Sequence, residues 1–193
     1  MVDSEILLTG VWIQVFGTVI AAIGETMLIQ EERLDLEPLG FRVVSLGNGF
    51  EAVGNSLQGV GAEKLSDGSV GETYRVAGDW IQASGNVTNV FGAELQFYGR
   101  ELEGLKLDIF GDTVQSIGAG LEAYGATLSS RAFSNLLAAG NTIQSLGAAL
   151  EGVGELFILK GKKDIGMQIT AFGSYAQAAG ATIAAIALTK QYG

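Results

Sequence analysis

The sequence predicts an all-α protein, a six-helix up-and-down antiparallel array of roughly thirty-residue helical repeats held by tight glycine-heptad helix packing. Three observations carry this. Glycine recurs every seven residues inside segments that otherwise read as helix, and the ladder takes most of the 29 glycines. The register of that ladder slips where charged and turn-forming residues gather, so each slip marks a helix end. The chain has one proline, Pro38, and its spacer residues are rich in alanine, leucine and glutamine, which favour helix.

The first ladder, Gly10-Gly17-Gly24, predicts a helix near 4–29, closed by the polar stretch Gln30-Glu31-Glu32-Arg33-Leu34-Asp35 ahead of Pro38. The second, with Gly40, Gly47, Gly54 and Gly61, predicts a helix near 38–65, and Lys64-Leu65-Ser66-Asp67-Gly68 separates it from the third. Gly71, Gly78, Gly85, Gly92 and Gly99 give a helix near 70–101. The next slip is the weakest, because Arg100-Glu101-Leu102-Glu103 would itself continue a helix; Gly104, Gly111, Gly118 and Gly125 then place one near 103–128. Ser129-Ser130 offers an N-cap for a helix near 131–160, which carries Gly140, Gly147 and Gly154. Lys160, Lys162, Lys163 and Asp164 mark the last junction, and Gly166, Gly173 and Gly180 define a helix near 164–190. One helical-repeat domain over 1–193 is expected, either closed into a bundle or left as a curved sheet of helices.

A glycine in a helix interior costs about 1 kcal/mol relative to alanine, so a ladder this long needs a compensating gain. Close backbone approach between helices supplies one, and Gly10, Gly17, Gly24, Gly47, Gly54, Gly78, Gly85, Gly111, Gly118, Gly140, Gly147, Gly173 and Gly180 are the expected packing positions. With glycine at heptad position a, positions d and g are apolar (Ile13, Leu57, Ile81 and Val114; Val53, Phe91, Tyr98 and Ile117) and are expected to form the core. Position e carries an amide or carboxylate: Gln14, Glu51, Gln58, Gln82, Gln115, Glu122, Gln144, Glu151 and Gln177. Position b favours Asn or Asp. The e row reads as a polar seam that fixes register through hydrogen bonds between helices. Trp12, Trp80 and Tyr175 share position c, which faces outward, and are candidates for a contact surface.

The repeated heptad Gly-Asn/Asp-x-Ile-Gln-Ser-Leu-Gly, with the opening Leu8-Thr9-Gly10-Val11-Trp12-Ile13-Gln14, resembles a group of uncharacterised repetitive proteins from Bacillus-type bacteria. The resemblance spans most of the chain. It implies a small, cytosolic, repeat-built helical protein and no particular activity.

Composition narrows the function. A net charge of −10 with no basic stripe argues against nucleic acid. With no cysteine and no histidine there is no thiolate chemistry, no disulfide framework and no Glu-x-x-His di-metal motif. No nucleophile–base pair is evident, so an enzyme is not expected, and no cofactor or metal is implied. The acidic N-terminus lacks the positive charge of a secretory signal, which favours the cytoplasm or an unconventional export route. The first and last helices are the most apolar, the reverse of the polar capping that repeat arrays need. The leading expectation is therefore a structural protein that self-assembles into a homo-oligomer, sheet or filament through those helices. The alternative is a membrane-active protein, soluble as a bundle, that inserts them into a bilayer. Long uncharged runs at Ile6–Gly24 and Ile165–Thr189 suit that alternative. Charges in the middle helices disfavour a constitutively six-span protein.

Overall fold

A heptad with one glycine presents three different surfaces to its surroundings, and the arrangement of the helices follows from how each surface is used. In a computed structural model, which describes residues 2–193, six α-helices follow in order: α1 (Val2–Leu34), α2 (Gly40–Leu65), α3 (Val70–Phe97), α4 (Glu101–Thr127), α5 (Ser134–Leu159) and α6 (Lys163–Tyr192). There is no strand among the described residues. Each helix packs on its sequence neighbours, and α1 also packs on α6, which closes the ring. The closest pairs are α1–α2, α3–α4 and α5–α6. The molecule is thus three tight hairpins arranged as a closed six-helix barrel, with α1, α3 and α5 running one way and the others returning.

The glycine stripes lie inside those hairpins, glycine opposite glycine. A Cβ placed on Gly10 would sit 2.7 Å from the Gly54 carbonyl oxygen, and one on Gly17 equally close to that of Gly47. In the second hairpin Gly85 faces Gly111 and Gly78 faces Gly118; in the third Gly147 faces Gly173 and Gly140 faces Gly180. Gly24 meets Val44 and Gly40. A methyl group at these places would push backbone against backbone, so the small residue permits the approach. The seams between hairpins use other contacts. The Trp80 indole of α3 lies over Gly59 of α2, Ser116 of α4 and Ser145 of α5 exchange hydrogen bonds of 2.9 and 2.8 Å, and Trp12 Nε1 of α1 donates to Thr189 Oγ1 of α6 at 3.1 Å.

The helix ends fall within a few residues of expectation, with two differences. α1 continues to Leu34 through the charged stretch read as a linker. Glu31 in that stretch is buried, and its Oε2 accepts the amide N–H of Gly40 at 2.9 Å, capping α2. α5 begins at Ser134 behind a left-handed Phe133 (φ 63°), not behind a serine cap at Ser129-Ser130. Ser129 Oγ instead accepts the Arg131 N–H in the turn. The weakest slip proves a true turn, because Gly99 adopts φ 79° and Arg100-Glu101 opens α4.

The expected d/g core requires correction. Position g lies on the outer surface: Val53, Phe91, Tyr98, Ile117, Tyr124, Leu146 and Phe172 are all exposed, Phe91 at 60% and Phe172 at 67%. Position d is half-buried. Positions b and e turn inward. The largest fully buried side chains include Gln82, Gln115, Gln144, Asn55, Asn86, Asn141 and Asp112. At about 100° per residue, e and b lie within one arc beside the glycine, while c, d and g fill the opposite arc. The barrel is therefore polar inside and apolar outside. Apolar packing closes only one end, where Leu7, Val11, Leu137, Ala184 and Leu188 cluster beside the termini. A smaller cluster of Leu28, Val44 and Ala93, with Phe41 and Met167 against it, lies toward the opposite end.

Candidate functional site

The inward rows of b and e side chains meet along the barrel axis. In the middle they form a chain of amides. Gln58 Nε2 donates to Gln14 Oε1 and Gln14 Nε2 to Gln144 Oε1, each at 2.9 Å. Gln144 Nε2 donates to Asn141 Oδ1 at 3.2 Å, and Asn141 Nδ2 to Glu122 Oε2 at 3.1 Å. Gln82 Nε2 donates to the other Glu122 oxygen. Five helices are joined through the lumen, so no open channel runs past this level.

Toward the termini the next layer is charged. Arg75 and Glu72 on α3 are almost fully buried and paired, with Nη1 at 3.0 and 3.2 Å from the two carboxylate oxygens. Arg131 adds a second cation 3.5 Å from Glu72. Beyond it the Leu7–Leu188 cluster seals the barrel.

Toward the other end the lumen widens into a cavity of about 430 Å³ that reaches the turns between α1 and α2, α3 and α4, and α5 and α6. Its inner wall is acidic: Glu25 from α1, Asp108 and Asp112 from α4, and Glu151 and Glu155 from α5. The pairs on α4 and α5 are each spaced four residues apart, which stacks their carboxylates on one helix face. Asn89 Nδ2 donates to Asp112 Oδ1 at 2.6 Å, and Gln96 Nε2 donates to Asp108 Oδ2. Of the remaining oxygens, Asp108 Oδ1 is turned against Gly92 in the α3–α4 seam, while Asp112 Oδ2, Glu151 Oε1 and Glu155 Oε2 are buried and accept from no amide or hydroxyl. The Asp112 and Glu155 carboxyls lie against each other, and Glu151 lies beside Gln177. The one basic lining residue, Lys163, stands at the mouth, with Nζ 2.6 Å from Glu32 Oε2. No group of three or more acidic side chains among the described residues converges in a metal-ligating arrangement.

The sequence-selected residues thus fall in three places. The thirteen packing glycines sit within the helix pairs. The nine residues of the e row line the lumen and not an outer seam: Gln14, Gln58, Gln82, Gln144 and Glu122 share the amide chain, Gln115 and Gln177 are buried at similar depth, and Glu51 and Glu151 lie lower. Trp12, Trp80 and Tyr175 are exposed at 46%, 45% and 52%, yet each also touches the next helix, Tyr175 through a 3.1 Å bond to Thr26. Asn86, the asparagine of a glycosylation tripeptide, is fully buried. The cavity residues Glu25, Asp108, Asp112 and Glu155 are not among the sequence-selected positions. Their positions, b, e, b and b of their heptads, are the signal that would have found them.

The outer surface is equally systematic. On α2 the exposed charges Arg42 and Glu63 bracket an outward face of Leu46, Phe50, Val53, Leu57 and Val60. They stand about 20 residues apart, roughly 30 Å at the α-helical rise. The outward face of α4 beyond Lys106, of α5 throughout, and of α6 between Asp164 and Lys190 carries no charge. By length and composition α1, α5 and α6 are each apolar enough to cross a membrane.

Fold and lumen together define a closed all-α bundle with a polar, acid-lined interior. The chain belongs to DUF6944, a family of unknown function, which matches residues 5–185. No curated protein and no solved structure matches it.

Proposed function

We propose that this chain is an integral membrane six-helix bundle whose apolar exterior faces lipid and whose polar lumen forms a solute vestibule closed at one end. The observation that carries the reading is the uncharged outer surface of all six helices, about 30 Å tall, combined with inward placement of nearly every polar heptad residue. That height equals the hydrocarbon thickness of a bilayer. A bundle built for water turns its apolar d/g band inward; this barrel turns it out. The middle helices α2, α3 and α4 fall short of a transmembrane signature because their charges point to the lumen, where ionisable residues of membrane helices belong. Glycine stripes at the helix seams support the same reading, since close van der Waals packing replaces the hydrophobic drive within a bilayer. Tyr74 and Tyr124 at one rim and Tyr98 at the other suit the headgroup region.

This reading departs from the expectation of a cytoplasmic assembly. A self-associating surface needs one complementary face, whereas the apolar belt here surrounds the molecule. The test is fractionation of cells expressing the full chain. Retention in the membrane pellet after alkaline carbonate washing, with detergent required for extraction, is the expected result. A monodisperse particle in detergent-free buffer overturns it, and a defined stoichiometry above one would favour self-assembly through the same belt.

A further inference from the structure

The cavity at the turn-bearing end has a construction the membrane reading does not explain, and it has the same shape whatever covers the exterior. Here one carboxylate oxygen each of Asp112, Glu151 and Glu155 accepts from no amide or hydroxyl although the residues are at least nine-tenths buried. The Asp112 and Glu155 carboxyls meet only each other, while Asp108 Oδ1 is turned away against Gly92 in the α3–α4 seam. Buried acceptors left unmade are costly, and buried negative charge more so, unless a donor or cation completes them. Lys163 does not do this, since it is held at the mouth by Glu32.

The cavity has a second zone. Between the acidic floor and the mouth, Leu28, Phe41, Val44, Leu105, Ile158 and Met167 form an apolar collar. A volume near 430 Å³ is far larger than a bare metal ion and falls within the range of small-molecule sites, which pair apolar walls with a few placed polar groups. The carboxylates spread over two helices without forming a metal-ligand cluster. We infer that this cavity binds an organic cation: a protonated amine whose N–H donors reach these oxygens of Asp112, Glu151 and Glu155 while its apolar body lies in the Leu28–Met167 collar.

Benzylammonium is a suitable probe, with benzyl alcohol as its neutral counterpart and Na⁺ and Mg²⁺ as inorganic cations. The purified full chain is titrated with each, in detergent if it requires one, and thermal unfolding is followed by Trp12 and Trp80 fluorescence. Benzylammonium is expected to stabilise saturably where the alcohol does not. The near-isosteric pair Asp112→Asn with Glu155→Gln is expected to weaken apparent affinity at least tenfold, and Glu122→Gln, outside the cavity, to leave it unchanged. If the double variant does not fold, Glu151→Gln and the collar-filling Ala93→Phe provide the same comparison. Equal stabilisation by the alcohol, binding of Na⁺ or Mg²⁺ only, or benzylammonium binding untouched by the cavity variants overturns the inference.

Discussion

Gln14 on α1 donates its side-chain N–H to Gln144 Oε1 on α5 at 2.9 Å, across the lumen between two helices that are not neighbours in the ring. Gln14 also accepts from Gln58 on α2. One residue therefore ties the first and third hairpins together and blocks the axis. Replacing Gln14 with leucine strands the Gln144 acceptor and leaves Gln58 with only its bond to Asn55. Each buried group left unmade costs about 1–3 kcal/mol. The Gln14→Leu variant is expected to unfold at lower temperature, and Gln14→Leu/Gln144→Leu to lose less than the two single losses combined. Thermal unfolding of the four proteins measures the coupling.

Two glycines two residues apart separate packing from propensity. A Cβ on Gly47 would lie 2.5 Å from the Ala21 amide nitrogen, whereas one on Gly49 would meet nothing within 4 Å. Gly49→Ala is expected to stabilise by about 0.5–1 kcal/mol through helix propensity. Gly47→Ala is expected to destabilise by about 1–3 kcal/mol through forced separation of α1 and α2. Matched unfolding midpoints for the two variants would remove the close-approach argument.

Those glycines also mark what the sequence made legible. The seven-residue spacing locates six helices and their turns because glycine placement is a backbone requirement, independent of solvent. Which arc faces inward is a different matter. Periodicity puts Gln82 and Asp79 on one side of α3 and Trp80 and Phe91 on another, but only the surrounding medium says which side is outside. Taking water as that medium sends Phe91 and Ile117 to the core, and both are on the surface. The cavity was less legible still. Glu25, Asp108 and Glu155 belong to three helices, form no motif, and meet only after the ring closes.

The outer belt supplies a test with opposite signs for lipid and water. Ile117 and Leu146 are exposed near the middle of α4 and α5. An aspartate at the centre of a membrane helix costs roughly 2.5–3.5 kcal/mol. Ile117→Asp and Leu146→Asp are therefore expected to reduce the carbonate-resistant membrane fraction severalfold. In a soluble particle the same changes would break an apolar patch and raise solubility. Sedimentation of wild type and variants distinguishes the two.

The Arg75–Glu72 pair seals the lumen above the amide chain, and both residues are nearly fully buried. Removing one partner of a buried pair typically costs about 3–5 kcal/mol, while replacing both by uncharged groups is often close to neutral. Arg75→Met is expected to fall at the lower end of that range, because Arg131 still stands 3.5 Å from Glu72. Adding Glu72→Gln should recover most of the loss. If the double variant is as unstable as Arg75→Met, the pair matters through packing and not through charge.

The last expectation concerns direction. All three even-numbered helices begin, and all three odd-numbered helices end, at the mouth of the acidic cavity. That end carries Arg33, Arg42, Arg100, Lys106, Lys160, Lys162 and Lys163; the opposite end exposes only Lys64, Arg131 and Lys190 as basic residues among those described. Loops rich in lysine and arginine stay on the cytoplasmic side of a membrane. The cavity mouth is therefore expected to open to the cytoplasm, with the α2–α3 and α4–α5 turns on the far side. The chain contains no cysteine, so single cysteines introduced at Asp67 or Ser130 and at Lys162 report without background. In intact cells a membrane-impermeant maleimide should label the first two and reach the third only after permeabilisation. Labelling in the reverse order would place the mouth outside and make the cavity a site for extracellular solutes.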